Sequence, residues 1–198
     1  MRMTRRHAVL TSLMTPVLTT KLWASSALAT TAEDPVRALR AGGVVAAFRH
    51  TLAPGTFDPP EFKLGDCSTQ RNLSEEGRAQ ARQMGVWFSA NKLRPLAVRS
   101  SPWCRCVETA TLAFGTAAAW SALASPSGQT AEARTSQQLA LRAALQAASA
   151  KRGSFEVWVT HMFVMNDFVQ VSLAPGEGLV LRADPAGAPE VLARIMAF

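Results

Sequence analysis

A layered α/β domain is the fold class this sequence predicts, on three observations. Short apolar runs closed by turn residues recur along the chain. Stretches of helical periodicity lie between them. Of the 198 residues 48% are hydrophobic, which suffices for one real core and leaves little room for a second. The apolar fraction and the five Trp argue against disorder, and no repeat of solenoid period is visible.

The first 29 residues read as an export signal rather than as part of that domain. Met1 to Arg6 is basic, Ala8 to Thr20 is moderately apolar and uncharged, and Ala27-Leu28-Ala29 offers small residues where a signal peptidase cuts. The apolar run is shorter than the ~20 residues of a membrane span. Thr4-Arg5-Arg6-His7-Ala8-Val9-Leu10 resembles a twin-arginine motif, with a general secretory signal as the alternative. The expectation is cleavage before Thr30, a single domain over residues 30–198, a periplasmic or secreted location, and no stable membrane insertion. The signal also accounts for much of the net charge of +7: it holds four basic residues and no acid, leaving +3 on the remainder. So small a surplus, without a basic run or a basic-aromatic stripe, excludes a dedicated nucleic-acid binder.

The elements of the mature chain follow in order. Gly43-Val44-Val45-Ala46-Ala47-Phe48 predicts a buried strand. Residues 51–71 are rich in Pro, Gly and Asp and predict a long loop, of the kind that is usually functional in a compact domain. Ser74 with Glu75 and Glu76 signals a helix start, and Ala81, Met84, Trp87 and Phe88 carry the helix towards Asn91. Leu96-Ala97-Val98 predicts a second strand, and Pro102 opens a helix over residues 104–114. Residues 117–129 look irregular, and 135–150 helical up to Lys151-Arg152-Gly153. Phe155 to Thr160 predicts a third strand, 166–171 a short helix, and 178–182 and 190–196 two late strands joined by a turn.

Three cysteines remain: Cys67, Cys104 and Cys106. In an exported protein a bridge from Cys67 to either of the other two is favoured over one between neighbours two apart; three buried thiols are the alternative. Too few ligands stand at metal-binding spacing, so no metal and no cofactor is expected.

The chemistry shows at the strand ends. Beyond the signal the chain has two histidines, His50 and His161, and each follows directly on an apolar strand, where α/β sheets bind ligands. Arg49 precedes the first, and Arg105 opens the helix after the second strand, where free N–H groups favour anions. Four blocks then resemble the histidine phosphatase superfamily. Phe48-Arg49-His50-Thr51 is similar to its Arg-His signature, and residues 72–81 to its L-T-x-x-G-x-x-Q-A helix. Residues 100–110 are similar to its S-S-x-x-x-R-x-x-x-T-A segment, and Val157 to His161 to its closing strand and second histidine. They fall in the family's order and span residues 43–165.

The resemblance implies a three-layer α/β/α sandwich with a mostly parallel central sheet, phosphoglycerate mutase-like, and an exported, metal-independent phosphatase acting on a small phosphorylated substrate. It implies His50 as nucleophile, forming a phosphohistidine that water hydrolyses. Arg49 and Arg105 would grip the phosphate oxygens, and His161 would add a donor. Neighbouring guanidiniums would keep His50 neutral. Arg71 is a further phosphate contact, or else a surface residue before a helix. Thr51 stands in a substrate-binding position where the family usually has Gly. No carboxylate occupies the stretch after the Arg105 helix that often supplies the leaving-group acid. Asp58 is the first substitute, ahead of Glu177 and Glu132, with a plain turn residue as its alternative. Phosphoanhydrides or phosphoramidates would need an acid less. Glu108 is expected to orient Arg105 or merely to cap nearby polarity, and Trp103, Met162 and Phe163 to form an apolar wall or simply core. The rival reading is a non-catalytic domain binding phosphate or anionic sugars. The sequence carries no code for substrate or oligomeric state.

Overall fold

A computed structural model describes residues 33–198; the expected signal segment lies outside them. A mixed six-stranded sheet organises the domain, in the spatial order β3-β2-β4-β1-β5-β6. The strands are β1 (Val44–Arg49), β2 (Ala97–Ser100), β3 (Ala118–Ala119), β4 (Phe155–Thr160), β5 (Gly178–Ala183) and β6 (Pro189–Ile195). β1, β2, β3 and β4 run parallel, while β5 and β6 form an antiparallel hairpin added to the β1 edge.

The central strands are nearly continuous in apolar residues because helices cover both faces. Helices α1 (Pro35–Ala41), α2 (Glu75–Ala90) and α3 (Cys104–Phe114) lie on one face. There Leu39, Met84, Phe88 and Ala110 meet Val44, Ala46 and Phe48 of β1 and Val157 and Val159 of β4. On the other face, α4 (Ala131–Ser149) and α5 (Met162–Val169) pack Leu141, Leu145, Met165 and Phe168 on Val45, Ala47, Trp158 and Leu181. Alternate residues of one strand thus serve two cores, and a one-residue slip in register would exchange them. The result is the three-layer sandwich expected.

The differences from the sequence reading lie at element ends and in two short elements absent from it. α1 is short, started by Pro35 with the Asp34 carboxylate accepting from Val36 N–H. α4 begins four residues earlier than its Ala/Leu pattern, because Thr130 caps it by accepting from Ala133 N–H. α5 begins at Met162, directly after His161, rather than at 166. β3 is a two-residue strand inside the stretch read as irregular.

Candidate active site

Three elements end at one place. β1 delivers Arg49 and then His50, β4 delivers His161 immediately before α5, and the first turn of α3, one loop beyond β2, delivers Arg105. Because β1 and β4 are paired in parallel, with Arg49 opposite Thr160, both histidines leave the sheet at the same edge and level. His50 N–H donates to the Thr160 carbonyl at 2.9 Å, extending the ladder one residue past the strand and fixing the backbone of the first histidine. The two imidazoles sit 5.6 Å apart between centroids, and both are almost wholly buried.

The hydrogen bonds define the state of His50. Its Nδ1 lies 2.8 Å from the Thr51 carbonyl, which can only accept, so Nδ1 carries the proton and Nε2 keeps its lone pair. Burial, reinforced by the charges of Arg105, Arg71 and Arg49, outweighs the hydrogen bond to Thr51 and pushes the ring's pKa down to about 3. His50 is therefore neutral near pH 7, with a free basic nitrogen. His161 is likewise held well below the ordinary histidine value by burial, with His50 and Arg105 adding to it.

His161 is clamped at both ring nitrogens. Nε2 lies 2.7 Å from Ser101 Oγ, and Nδ1 lies 3.4 Å from Arg105 Nη2. The guanidinium can only donate, so in this arrangement Nε2–H donates to Ser101. Ser101 Oγ also accepts from Trp103 N–H, so its own proton is free to turn onto Nε2. A hydroxyl turned that way fits the other tautomer, in which Nε2 has given its proton to solvent and Nδ1, the nitrogen that faces Arg105, has taken one up. The Cys106 thiol packs 3.6 Å from Nε2, and burial pushes it up to about 12, so it is an inert neighbour.

Arg49, Arg71 and Arg105 all line one cleft of about 330 Å³ together with His50 and His161. Arg49 Nη1 donates to the Leu173 carbonyl at 2.8 Å, and Arg71 Nη1 donates to the Ala53 carbonyl. The Nε–H of each of the three is buried and has no acceptor. Unpartnered buried donors are rare; what the three residues share at the cleft is their positive charge, which suits an oxyanion. Among the described residues no group of three His, Cys, Asp or Glu side chains could hold a metal ion.

Asp58 is in the cleft but not as a free acid. Its carboxylate takes Arg105 Nη1 at 2.7 Å and Nη2 at 3.2 Å, Arg71 N–H at 3.0 Å and the Trp103 indole N–H at 3.1 Å. Burial alone would push its pKa up; the hydrogen bonds from Arg105 and Arg71 outweigh that and hold it below the usual carboxylate range. The expectation of a leaving-group acid at Asp58 thus meets a carboxylate whose two oxygens are filled by donors. Thr51 is also corrected. Its buried hydroxyl turns away from the cleft onto Thr109 Oγ1, 3.1 Å away, and its contribution is the carbonyl that sets the His50 tautomer.

The other carboxylates are elsewhere. Glu177 pairs with Arg194 and accepts from Ala174 N–H, bracing the turn whose Leu173 carbonyl holds Arg49. Glu132 is exposed in the first turn of α4, and Glu108 pairs with Arg78 rather than with Arg105. Cys67 is bonded to Cys104, so the loop over the cleft is stapled to the residue before Arg105. Ser101, Phe57 and Phe62 were not singled out by sequence. Only Ser101 had a signal, a hydroxyl just beyond a strand that ends beside the two histidines.

No known family model and no curated protein matches this sequence. Solved structures do. The protein histidine phosphatase SixA bound to tungstate has a TM-score of 0.51 at 16% identity, over 77% of this chain and 96% of its own. A mycobacterial glucosyl-3-phosphoglycerate phosphatase gives 0.56 at 14% identity, over 78% and 99%. A variant phosphoserine phosphatase from Entamoeba histolytica, solved with phosphoserine, gives 0.53 at 12% identity, over 76% and 95%. At such identities the likeness is one of architecture: the chain has the phosphoglycerate mutase-like fold of the histidine phosphatases.

Proposed function

We propose that the protein is a phosphatase that hydrolyses phosphoesters through a phosphohistidine on His50, without a metal. The observation that carries this reading is the pinned tautomer. A neutral imidazole with Nδ1–H tied to a carbonyl leaves Nε2 unprotonated beside a cleft that three guanidiniums line. A phosphate dianion repels nucleophiles until its oxygens are neutralised, and Arg49, Arg71 and Arg105 supply that charge. His161 donates from Nδ1 once Arg105 turns to the ligand and Ser101 takes up the other nitrogen. The phosphoryl group passes to Nε2, and water then attacks phosphorus, breaking the P–N bond and returning the electron pair to the ring. The phosphatase activities of structural neighbours support the same reading.

The location proposed is outside the cytoplasm, by way of the N-terminal signal. Its support is the basic-apolar-small pattern of residues 1–29 together with the Cys67–Cys104 bond, since disulfides persist in oxidising compartments. Intact-mass measurement of protein recovered from the cell envelope, showing a chain that starts at Thr30, would test it.

The activity is tested by phosphate release from a broad panel of phosphoesters in excess chelator, with His50→Ala alongside. Chelator-resistant turnover that the substitution abolishes, with an acid-labile phosphoryl group trapped on His50, supports the enzyme. Tight vanadate or phosphate binding with no turnover supports a binding domain instead.

A further inference from the structure

Above the cationic cup the cleft changes character. Phe57, Pro59, Phe62, Trp103, Met162 and Phe163 form its outer wall. Phe62 lies flat on Trp103, with centroids 5.3 Å apart and planes 17° from parallel, and Trp103 in turn sets its edge against His161 at 5.4 Å. Phe57 is 73% exposed and Phe163 39%, so apolar surface is left uncovered at the mouth of a polar site. Among the described residues the three cations lining the cleft belong to the cup; beyond Asp58, which Arg105 holds, the remaining polar lining groups are the neutral Thr56, Ser125 and Ser127. A second anionic group on a substrate, such as a carboxylate or another phosphate, would therefore lie against rings and hydroxyls with no cation of its own.

The same cleft has no free carboxylic acid to protonate a departing oxygen among the described residues. Asp58 is its single lining carboxylate among the described residues, and both oxygens are occupied by the Arg105 fork, the Arg71 N–H and the Trp103 indole. A general acid is worth roughly 10²–10⁴ in rate when the leaving group is a poor one. A site without it works on groups that depart as stable anions.

From these two features together, and resting on the phosphatase reading above, we infer that the substrate class is an aryl phosphate monoester whose phosphate is its only anionic group. Nε2 of His50 attacks phosphorus, the bond from phosphorus to the aryl oxygen breaks, and the aryloxide leaves with the electron pair and no proton from the protein. Water then attacks the phosphoryl group, the P–N bond breaks, and the proton shed by water passes to solvent. The ring of the leaving group lies against Phe57, Phe163 and the Phe62–Trp103 stack throughout.

The experiment is a leaving-group series on the purified chain: substituted phenyl phosphates, naphthyl phosphate, benzyl and alkyl phosphates, phosphoserine and a small phosphoramidate. The expected kcat/KM for phenyl phosphate exceeds that for benzyl phosphate, of similar size, by at least about a hundredfold, the gap an absent acid leaves. It should fall steeply as the phenol becomes less acidic. Phe57→Ala and Phe163→Ala should each raise KM for naphthyl phosphate about three- to tenfold with a smaller change in kcat. Asp58→Asn should lower all members by the same factor, because it loosens Arg105. Benzyl or alkyl phosphates turned over as fast as phenyl phosphates overturn the inference while leaving the phosphatase standing. So do a phosphoramidate or phosphoserine as best substrate, or an Asp58→Asn loss confined to poor leaving groups. Turnover of none of them, with no phosphohistidine, removes the phosphatase reading itself.

Discussion

The cup and the wall of this cleft are built by opposite means. His50, His161 and Arg49 stand at the ends of paired parallel strands, with His50 N–H still in the ladder. Moving them means moving the sheet. Half of the wall, Phe57, Pro59 and Phe62, comes from the loop between β1 and α2, while Trp103 precedes α3 and Met162 and Phe163 open α5. That loop also carries Asp58 and the cup's Arg71 and has no regular structure beyond a 3-10 turn at Cys67–Thr69. It is held by the disulfide to Cys104, the Asp58 carboxylate and the Gln70 amide oxygen, which accepts from Cys104 N–H. On the proposed function, the attacking histidine thus sits in the part fixed by backbone pairing, and half of the wall that would select substrates in the part tied by side chains. Arg105 belongs to both, since it faces His161 from the cup and Asp58 from the loop.

The sharpest way to break the comparison is His50→Ala. If the cup alone carries the reaction, turnover falls by at least about 10⁴-fold, the scale of nucleophile removal in other covalent enzymes. Activity surviving at a tenth of wild type would mean that another group attacks. Arg105→Ala should come next, with a loss of about 10²–10³ in kcat for one lost transition-state donor. Arg105→Lys should recover little of it, because an ammonium cannot satisfy Asp58 and a phosphate oxygen in the same fork. Steady-state kinetics with vanadate binding separates a lost grip on the anion from a collapsed loop.

The loop gives smaller numbers of a different kind. Replacing Cys67 and Cys104 by Ser together frees a segment closed over 37 residues of sequence and should cost about 2–4 kcal/mol of stability, or some 5–15 °C in Tm. Turnover well below the new Tm should fall only a few-fold, because the strand-end histidines stay in place. A hundredfold loss of kcat with an unchanged Tm would show that the cup depends on the loop and is not set by the sheet.

That division also explains what could be read from sequence. Strand ends are legible because an apolar run and the residue after it are contiguous: Ala46-Ala47-Phe48 announces His50, and Val157-Trp158-Val159 announces His161. Arg105 was legible from its place behind Pro102. The partners of Asp58 were not, since Arg105 lies 47 residues away, and nothing local distinguishes a carboxylate that meets a guanidinium from one that ends a turn. Thr51 was read as a side chain where only its carbonyl matters. The hairpin of β5 and β6 was seen as two strands, but their antiparallel placement beside β1 depends on the whole sheet. α1 has seven residues and β3 two, too few for either period to register.

The burial of the cup makes one more prediction, on stability rather than rate. His50 refuses a proton in the folded state until about pH 3, whereas in the unfolded chain it takes one up near the ordinary histidine value of 6.5. The contribution is fully present above pH 6.5. As the pH falls from there towards 3, the unfolded state binds the extra proton and the folded state loses ground, by up to about 1.4 kcal/mol per pH unit for this one group. His161 acts in the same direction, and Asp58 adds a loss at lower pH, as it falls through the ordinary carboxylate value near 3.8. Urea unfolding of the wild type should show a midpoint that declines between pH 6.5 and 4.5, and His50→Gln, which keeps a polar side chain without a proton to gain, should decline less steeply. Equal slopes for the two proteins would mean that His50 accepts its proton in the folded state near the ordinary pKa. The proposed attack at phosphorus by a neutral ring would then be confined to pH values above about 6.5.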